Sequence, residues 1–315
     1  MTIRARSNLW FALFGGALIG VLTVAQSHTN GALGRGLGDG YVAAAFSFIV
    51  GLLILAVAVL LTPAARNGTR DLIAEVRSGH LPWWALTGGL CGAFFVLSQG
   101  IAAGVIGIAL FTVGTVAGQI FGGLVIDQIG VGPNGRISPN APRVIGTVLV
   151  IAAVALSVIG DLSGIGPAVA MVLVPLISGA LLAWQAAVNG LTRAVARSAI
   201  AAAFVNFVVG TVAICLAAAV SVSFRGWPEA WPTDLWVYLG APLGVGIVWL
   251  LAVFVRFAGV LVLSVANVAG QLLTALVFEA VVPLAGGVTS WMLLGTAVAL
   301  VAVGIASLPG RRRSV

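Results

Sequence analysis

A chain of 315 residues that is 61% hydrophobic and 7% charged, with a mean hydropathy of +1.17, lacks the composition of a water-soluble domain. Its net charge of +7 comes from fifteen Arg against eight acids, with no Lys. The Arg residues sit in connections and termini, where they read as topology signals and contacts with anionic lipid rather than as a nucleic-acid surface. Cys91 and Cys215 lie inside apolar runs and imply neither a disulfide framework nor a metal site.

Apolar runs of about 18 residues or more can cross a bilayer as helices. Punctuated by Pro, Gly and charge, they predict helices at residues 9–27, 41–61, 81–101, 105–128 and 143–160, then 168–190, 199–223, 235–253, 257–282 and 290–308. The basic, then apolar start has the outline of a signal peptide, but it has a matching partner inside the chain and is read as an uncleaved first helix. With the N-terminus in the cytoplasm, thirteen of the fifteen Arg fall inside: Arg4, Arg6, Arg66, Arg70, Arg77, Arg136, Arg143, Arg193, Arg197, Arg256, Arg311, Arg312 and Arg313. Only Arg35 and Arg225 face outward. The positive-inside rule therefore favours ten helices with both termini cytoplasmic and the connection at residues 163–166 outside.

The chain repeats itself. At an offset of 159, Gly20, Gln26, Asn30, Gly31, Phe48 and Gly51 coincide with Gly179, Gln185, Asn189, Gly190, Phe207 and Gly210. At an offset of 152, Gly88, Gly92, Gly107, Ala117, Gly118 and Gln119 coincide with Gly240, Gly244, Gly259, Ala269, Gly270 and Gln271, and Asp127 falls on Glu279. Residues 1–162 and 163–315 thus form two five-helix repeats. Because five is odd, the second enters the membrane from the opposite face. The expected fold is an all-α membrane protein of ten transmembrane helices in two inverted repeats, a plan that transporters use with a solute site near the midplane.

The segment Val116–Gly130 (VAGQIFGGLVIDQIG) and its second copy Val268–Glu279 (VAGQLLTALVFE) resemble the YdcZ-type branch of the drug/metabolite transporter superfamily, with two five-helix units fused in one chain. The second copy departs from the pattern, with Glu279 for Asp and no following Gly. The resemblance implies a transporter fold and names no solute.

Polar side chains in apolar helices mark interhelical contacts or a water-lined path. Thr112, Thr115 and Gln119 share a face of the fourth helix, and Ser264, Asn267 and Gln271 take the equivalent places on the ninth. These six are the candidate substrate-binding residues, with interhelical hydrogen bonding as the other account. Gln26 and Asn30 at the outer end of the first helix mirror Gln185 and Asn189 at the inner end of the sixth. Each pair either caps a helix end at Asn-Gly or gates a mouth. Asp127 and Glu279, near opposite faces, either snorkel to water or serve the gates.

A nucleotide-binding motif is missing, and His28 and His80 both fall in connections. The expected function is a secondary transporter of a small polar metabolite or drug-like solute across the inner membrane by alternating access. A channel or a non-transporting scaffold is the alternative, and an enzyme is not expected. No cofactor or metal is called for, the partners are a small-molecule substrate and the lipid bilayer, and a homodimer is compatible with the sequence.

Overall fold

The computed structural model describes residues 3–131, 135–136, 138, 140–159, 167–284 and 287–308. The connection at 163–166, the junction between the two expected repeats and Arg311, Arg312 and Arg313 lie outside the described residues. What is described is all helical: α1 (Ile3–Leu37), α2 (Gly40–Leu61), α3 (Pro63–Arg77), α4 (Gly88–Ser98), α5 (Gly104–Ile106), α6 (Ile108–Ile129), α7 (Ala141–Ile159), α8 (Pro167–Ala196), α9 (Ala199–Arg225), α10 (Gly240–Val281) and α11 (Ser290–Ala306). A 3₁₀ turn leads into α4 at Trp83–Leu86 and another into α10 at Leu235–Leu239, while a π turn, Gln99–Ala103, joins α4 to α5.

Among the described residues, six stretches are long and apolar enough to cross a membrane: Gly40–Leu61, Trp83–Ile106, Ile108–Ile129, Met171–Ala196, Ala199–Arg225 and Leu263–Val281. Three shorter apolar helices, Ala141–Ser157, Leu235–Leu251 and Ser290–Ala306, accompany them. The protein is a multi-pass membrane protein.

α10 holds 42 residues, and a straight helix of that length would part its ends by roughly 60 Å. Its contacts forbid this. Gly240 and Gly244 lie against Asn30 and Gln26 of α1, Phe254 against Gly15, Ala266 against Gly16, and Gln271 against Gly20. Farther on, Phe278 meets His28. The chain descends α1, reverses between Phe254 and Leu263, and climbs it again. α10 is two arms, matching the two separate helices expected at 235–253 and 257–282.

The packing comes in pairs related by the sequence offsets. Gly20 on α1 lets the backbone of Asn267, Gly270 and Gln271 approach, and Gly179 on α8 admits the backbone of Thr115, Gly118 and Gln119. A side chain at either glycine would collide with main chain, so these helices meet backbone to backbone. α2 and α9 cross antiparallel, Phe48 on Gly210 and Phe207 on Gly51, with the two rings stacked at 4.9 Å. α7 and α11 do likewise: Gly146 faces Ala302 and Ala306, and Gly295 faces Ala153 and Ser157. Those positions share a third offset, 149, that the sequence reading did not contain.

Caps repeat as well. Asp39 accepts the Tyr41 and Val42 N–H groups at 2.8 and 3.2 Å at the start of α2, and Ser198, its counterpart, accepts that of Ala201 at 3.3 Å at the start of α9. Asn140 and Thr289 cap α7 and α11 in the same way, at 3.0 and 3.1 Å.

Between α2 and the third span, where the sequence suggests only a connection, α3 is amphipathic. Ala65, Gly68 and Leu72 are buried on the ends of α8 and α9, while Arg66, Arg70 and Arg77 face out.

Candidate functional site

Two clusters of neutral polar side chains form where α1 and α8 pass the start of the opposite repeat's third span. In the first, Asn30, Ser47 and Gln99 are buried together. Asn30 donates through Nδ2 to Gln99 Oε1 at 2.6 Å, and Ser47 donates to Asn30 Oδ1 at 2.8 Å. Gln99 donates through Nε2 to Ser27 Oγ at 2.8 Å, which in turn donates to Thr23 O at 2.9 Å. Each amide atom thereby finds a partner, which a buried polar group requires. Gly240 leaves room for Asn30, and Gly244 for Gln26.

This end is further closed by Glu279, which is 1% exposed. Its Oε2 accepts the Ile108 and Ala109 N–H groups at 2.6 and 3.3 Å, at the open amide end of α6, where a carboxylate is favoured by free N–H groups and the helix dipole. Gly107, at φ 80°, gives the chain the turn it needs beside the carboxylate. Glu279 Oε1 is buried without a hydrogen-bond partner among the described residues. His28 Nε2 lies 2.9 Å from Val282 O, its ring stacked on Trp236 and edge-on to Phe278, and Arg35 donates to Leu284 O. Phe46, Trp231 and Tyr238 roof the outside.

The second cluster uses the counterparts, Asn189 and Asn206, and is looser. Both are half-buried. Their Oδ1 atoms lie 2.8 and 2.9 Å from where a Cβ on Gly88 would stand, so that glycine lets both amides crowd the helix. Gln185 Nε2 sits over Gly92 in the same way, at 2.8 Å. Ala85, Leu86, Asn189, Thr192, Ala202, Val205 and Asn206 line a narrow cleft here. Trp184 donates to Thr87 Oγ1 at 2.9 Å and packs on Trp84 at its edge. Asp127, the counterpart of Glu279, pairs with Arg143 at 2.7 Å, and both are about one-third exposed.

The residues of the midplane stripe make local contacts within their own helices. Thr112 and Thr115 are buried and donate to their own helix, at Ile108 O (2.7 Å) and Phe111 O (2.9 Å), and Gln119 is half-buried. Gln271 donates to Asn267 Oδ1 at 3.2 Å, while Ser264 is exposed.

Three expectations are corrected. Gln26, Asn30 and His28 lie inside α1, which runs to Leu37, so the first two cap no helix end and the last is in no connection. Gln185 and Asn189 lie inside α8, which runs to Ala196. Glu279 does not snorkel, because the α6 amides hold it indoors. Sequence reasoning overlooked Gln99, Ser47 and Asn206. The signal was present: Ser47 and Asn206 coincide at the 159 offset, both polar in apolar helices.

The family model described as "Putative inner membrane exporter, YdcZ" matches residues 11–156 and 170–307. No curated protein matches the chain. A solved structure titled "Crystal structure of protein" is similar at 16% identity with a TM-score of 0.60, covering 98% of this chain and 99% of that one. This likeness concerns the fold alone.

Proposed function

The chain belongs to the DMT_YdcZ family of inner-membrane proteins, and from that premise we propose that it is a secondary transporter working by alternating access. The spans are α1, α2, the Trp83–Ile106 unit, α6, α7, α8, α9, the two arms of α10, and α11. Residues 1–162 and 163–315 supply five each, in opposite orientation. The antiparallel meetings of repeat-related residues support this arrangement.

The observation that carries the reading is the inequality of the two mouths. Corresponding positions in the two repeats are hydrogen-bonded and buried at Asn30, and half-buried with no side-chain hydrogen bond among the described residues at Asn189. A carrier built from inverted repeats passes between two states by exchanging the conformations of its halves. In the opposite state Asp127 leaves Arg143 and caps the amides of Val260 and Leu261, the counterparts of Ile108 and Ala109, while Glu279 is released.

The Asn189 mouth faces the cytoplasm in this reading. Arg193 and Arg197 stand at that end, and α3 brings Arg66, Arg70 and Arg77 to it. Both termini are then cytoplasmic, and cysteines placed at Ser163 and Ser314 should label from opposite sides of the membrane. Neutral side chains make up the stripe and the two amide clusters, which suits a neutral or zwitterionic small solute. Gln119 and the Asn267–Gln271 pair are its contacts along the path, with Thr112, Thr115 and Ser264 around them.

A protein without native cysteines tests the mechanism, using Val205→Cys at the cleft and Ala44→Cys behind Asn30. A membrane-impermeant maleimide should label Val205→Cys from the cytoplasm and spare Ala44→Cys from outside. Adding Glu279→Gln with Gln99→Leu should raise the second rate and lower the first together. Mouths that respond independently sink alternating access. Simultaneous labelling of both sites favours a channel, and indifference to the gate variants favours a scaffold.

A further inference from the structure

We propose that the Asn189–Asn206 cleft binds the carboxamide, or an equivalent adjoining donor and acceptor, of a neutral solute, which does in the second repeat what Gln99 does in the first. The inference rests on the transporter reading above and deepens it.

In the first repeat the protein supplies its own amide. Gln99, 0% exposed, is held through its oxygen by Asn30 and through its nitrogen by Ser27, while Ser47 fixes Asn30 from the other side. The offsets carry Asn30 to Asn189 and Ser47 to Asn206, so the receiving side chains are kept and one is enlarged to a second amide. Gln99 is carried to Leu251, which can neither donate nor accept and is 38% exposed. The amide that fills the first clasp has no counterpart in the second.

Closure of the second mouth on the pattern of the first would press Leu251 toward Asn189 and Asn206. Two side-chain amides would then be buried against a hydrocarbon, and burial of polar groups without partners is strongly disfavoured. A solute that offers an N–H donor and a carbonyl acceptor removes that penalty. Closure at this mouth is therefore conditional on cargo, whereas the Asn30 mouth shuts by itself. Neither the Asn189 nor the Asn206 side chain has a hydrogen-bond partner among the described residues, so both amides are left for a solute that carries a donor such as an amide NH₂. The cleft lining holds no charged side chain, which disfavours an ion, and Trp84 and Trp184 at its edge offer a face to an aromatic ring.

The test transplants the first clasp into the second. Asn206→Ser with Leu251→Gln restores the first repeat's residues at those positions, and monodisperse elution of the purified variant confirms that it folds. Without added solute, cytoplasmic labelling of Val205→Cys should fall at least tenfold relative to the parent. In the parent, nicotinamide should slow the same labelling, and nicotinate and methyl nicotinate should not. Asn189→Leu and Asn206→Leu should each abolish the nicotinamide effect. Unchanged labelling in the double variant, equal action of the acid or the ester, or a double variant that closes while nicotinamide does nothing to the parent would overturn the proposal. If in any of those cases Glu279→Gln with Gln99→Leu still exchanges the mouths, the transporter reading survives alone.

Discussion

The Asn30 mouth and the Asn189 mouth are made by counterpart helices in the same order, yet the amides are hydrogen-bonded to one another in the first and not in the second. Their scaffolds agree closely: glycines at 88 and 240 admit an asparagine, those at 92 and 244 admit a glutamine, and those at 20 and 179 admit backbone. The difference lies in substitutions between the copies, Ser47 to Asn206 among them. Gln99 corresponds to Leu251, and Glu279, buried on a helix terminus, corresponds to Asp127, about one-third exposed with Arg143. Packing is thus duplicated while polar satisfaction is not.

The comparison breaks most readily at its shared part. Gly20→Val and Gly179→Val each force a side chain onto a neighbouring helix backbone and should each cost about 3 kcal/mol, seen as loss of monodisperse protein and a lower melting temperature. Tolerance at one glycine alone would show that the two packings are not equivalent. Next come the acids. Glu279→Gln gives up charge-assisted bonds to two buried amides and should cost roughly 1.5 to 3 kcal/mol, whereas Asp127→Asn loses a partly exposed ion pair of less than about 1 kcal/mol. Equal shifts would mean that Glu279 caps nothing that matters.

Smaller effects sharpen the contrast. Asn30→Leu, which strands Gln99 and Ser47, should lower stability by about 1 to 3 kcal/mol, and Asn189→Leu should stay within about 0.5 kcal/mol in solute-free protein. Ser264→Ala should be the quietest, within about 0.5 kcal/mol by thermal melting, because its side chain is exposed.

The all-helical, membrane-spanning character and the repeat-related helix contacts were legible in the sequence because apolar run length and glycine spacing act locally or through simple periodicity. Even the reversal inside α10 was visible as two apolar runs parted by Arg256. The first helix's end was not. Ser27-His28-Thr29-Asn30-Gly31 reads as a polar exit from the membrane, but its groups are satisfied by Gln99, Ser47 and the Val282 carbonyl, so the helix continues to Leu37. Those partners are far away in sequence and leave no local trace. Glu279 misled for the same reason: an acid at a span end normally reaches water, and here another helix offers two amides first. The stripe gave the polar residues without saying which would turn back on their own carbonyls, since Thr112 and Thr115 carry a hydroxyl that suits either use.

The crossed packing of α1 on α10 also bears on how the protein is made. α1 is made well ahead of α10: Gly240 and Gly244, the surfaces that accommodate Asn30 and Gln26, are translated about 210 residues later. At bacterial elongation rates of about 5 to 20 residues per second, that is a wait of roughly 10 to 40 s. Meanwhile Gln99, Ser47 and Ser27 emerge in time to cover one side of the polar patch, while His28 and Gln26 stay open to lipid or to the insertion machinery. Biogenesis therefore favours a stepwise order, in which the self-satisfied amide clasp forms as soon as the third span arrives and acts as a temporary chaperone for α1 until the second repeat docks.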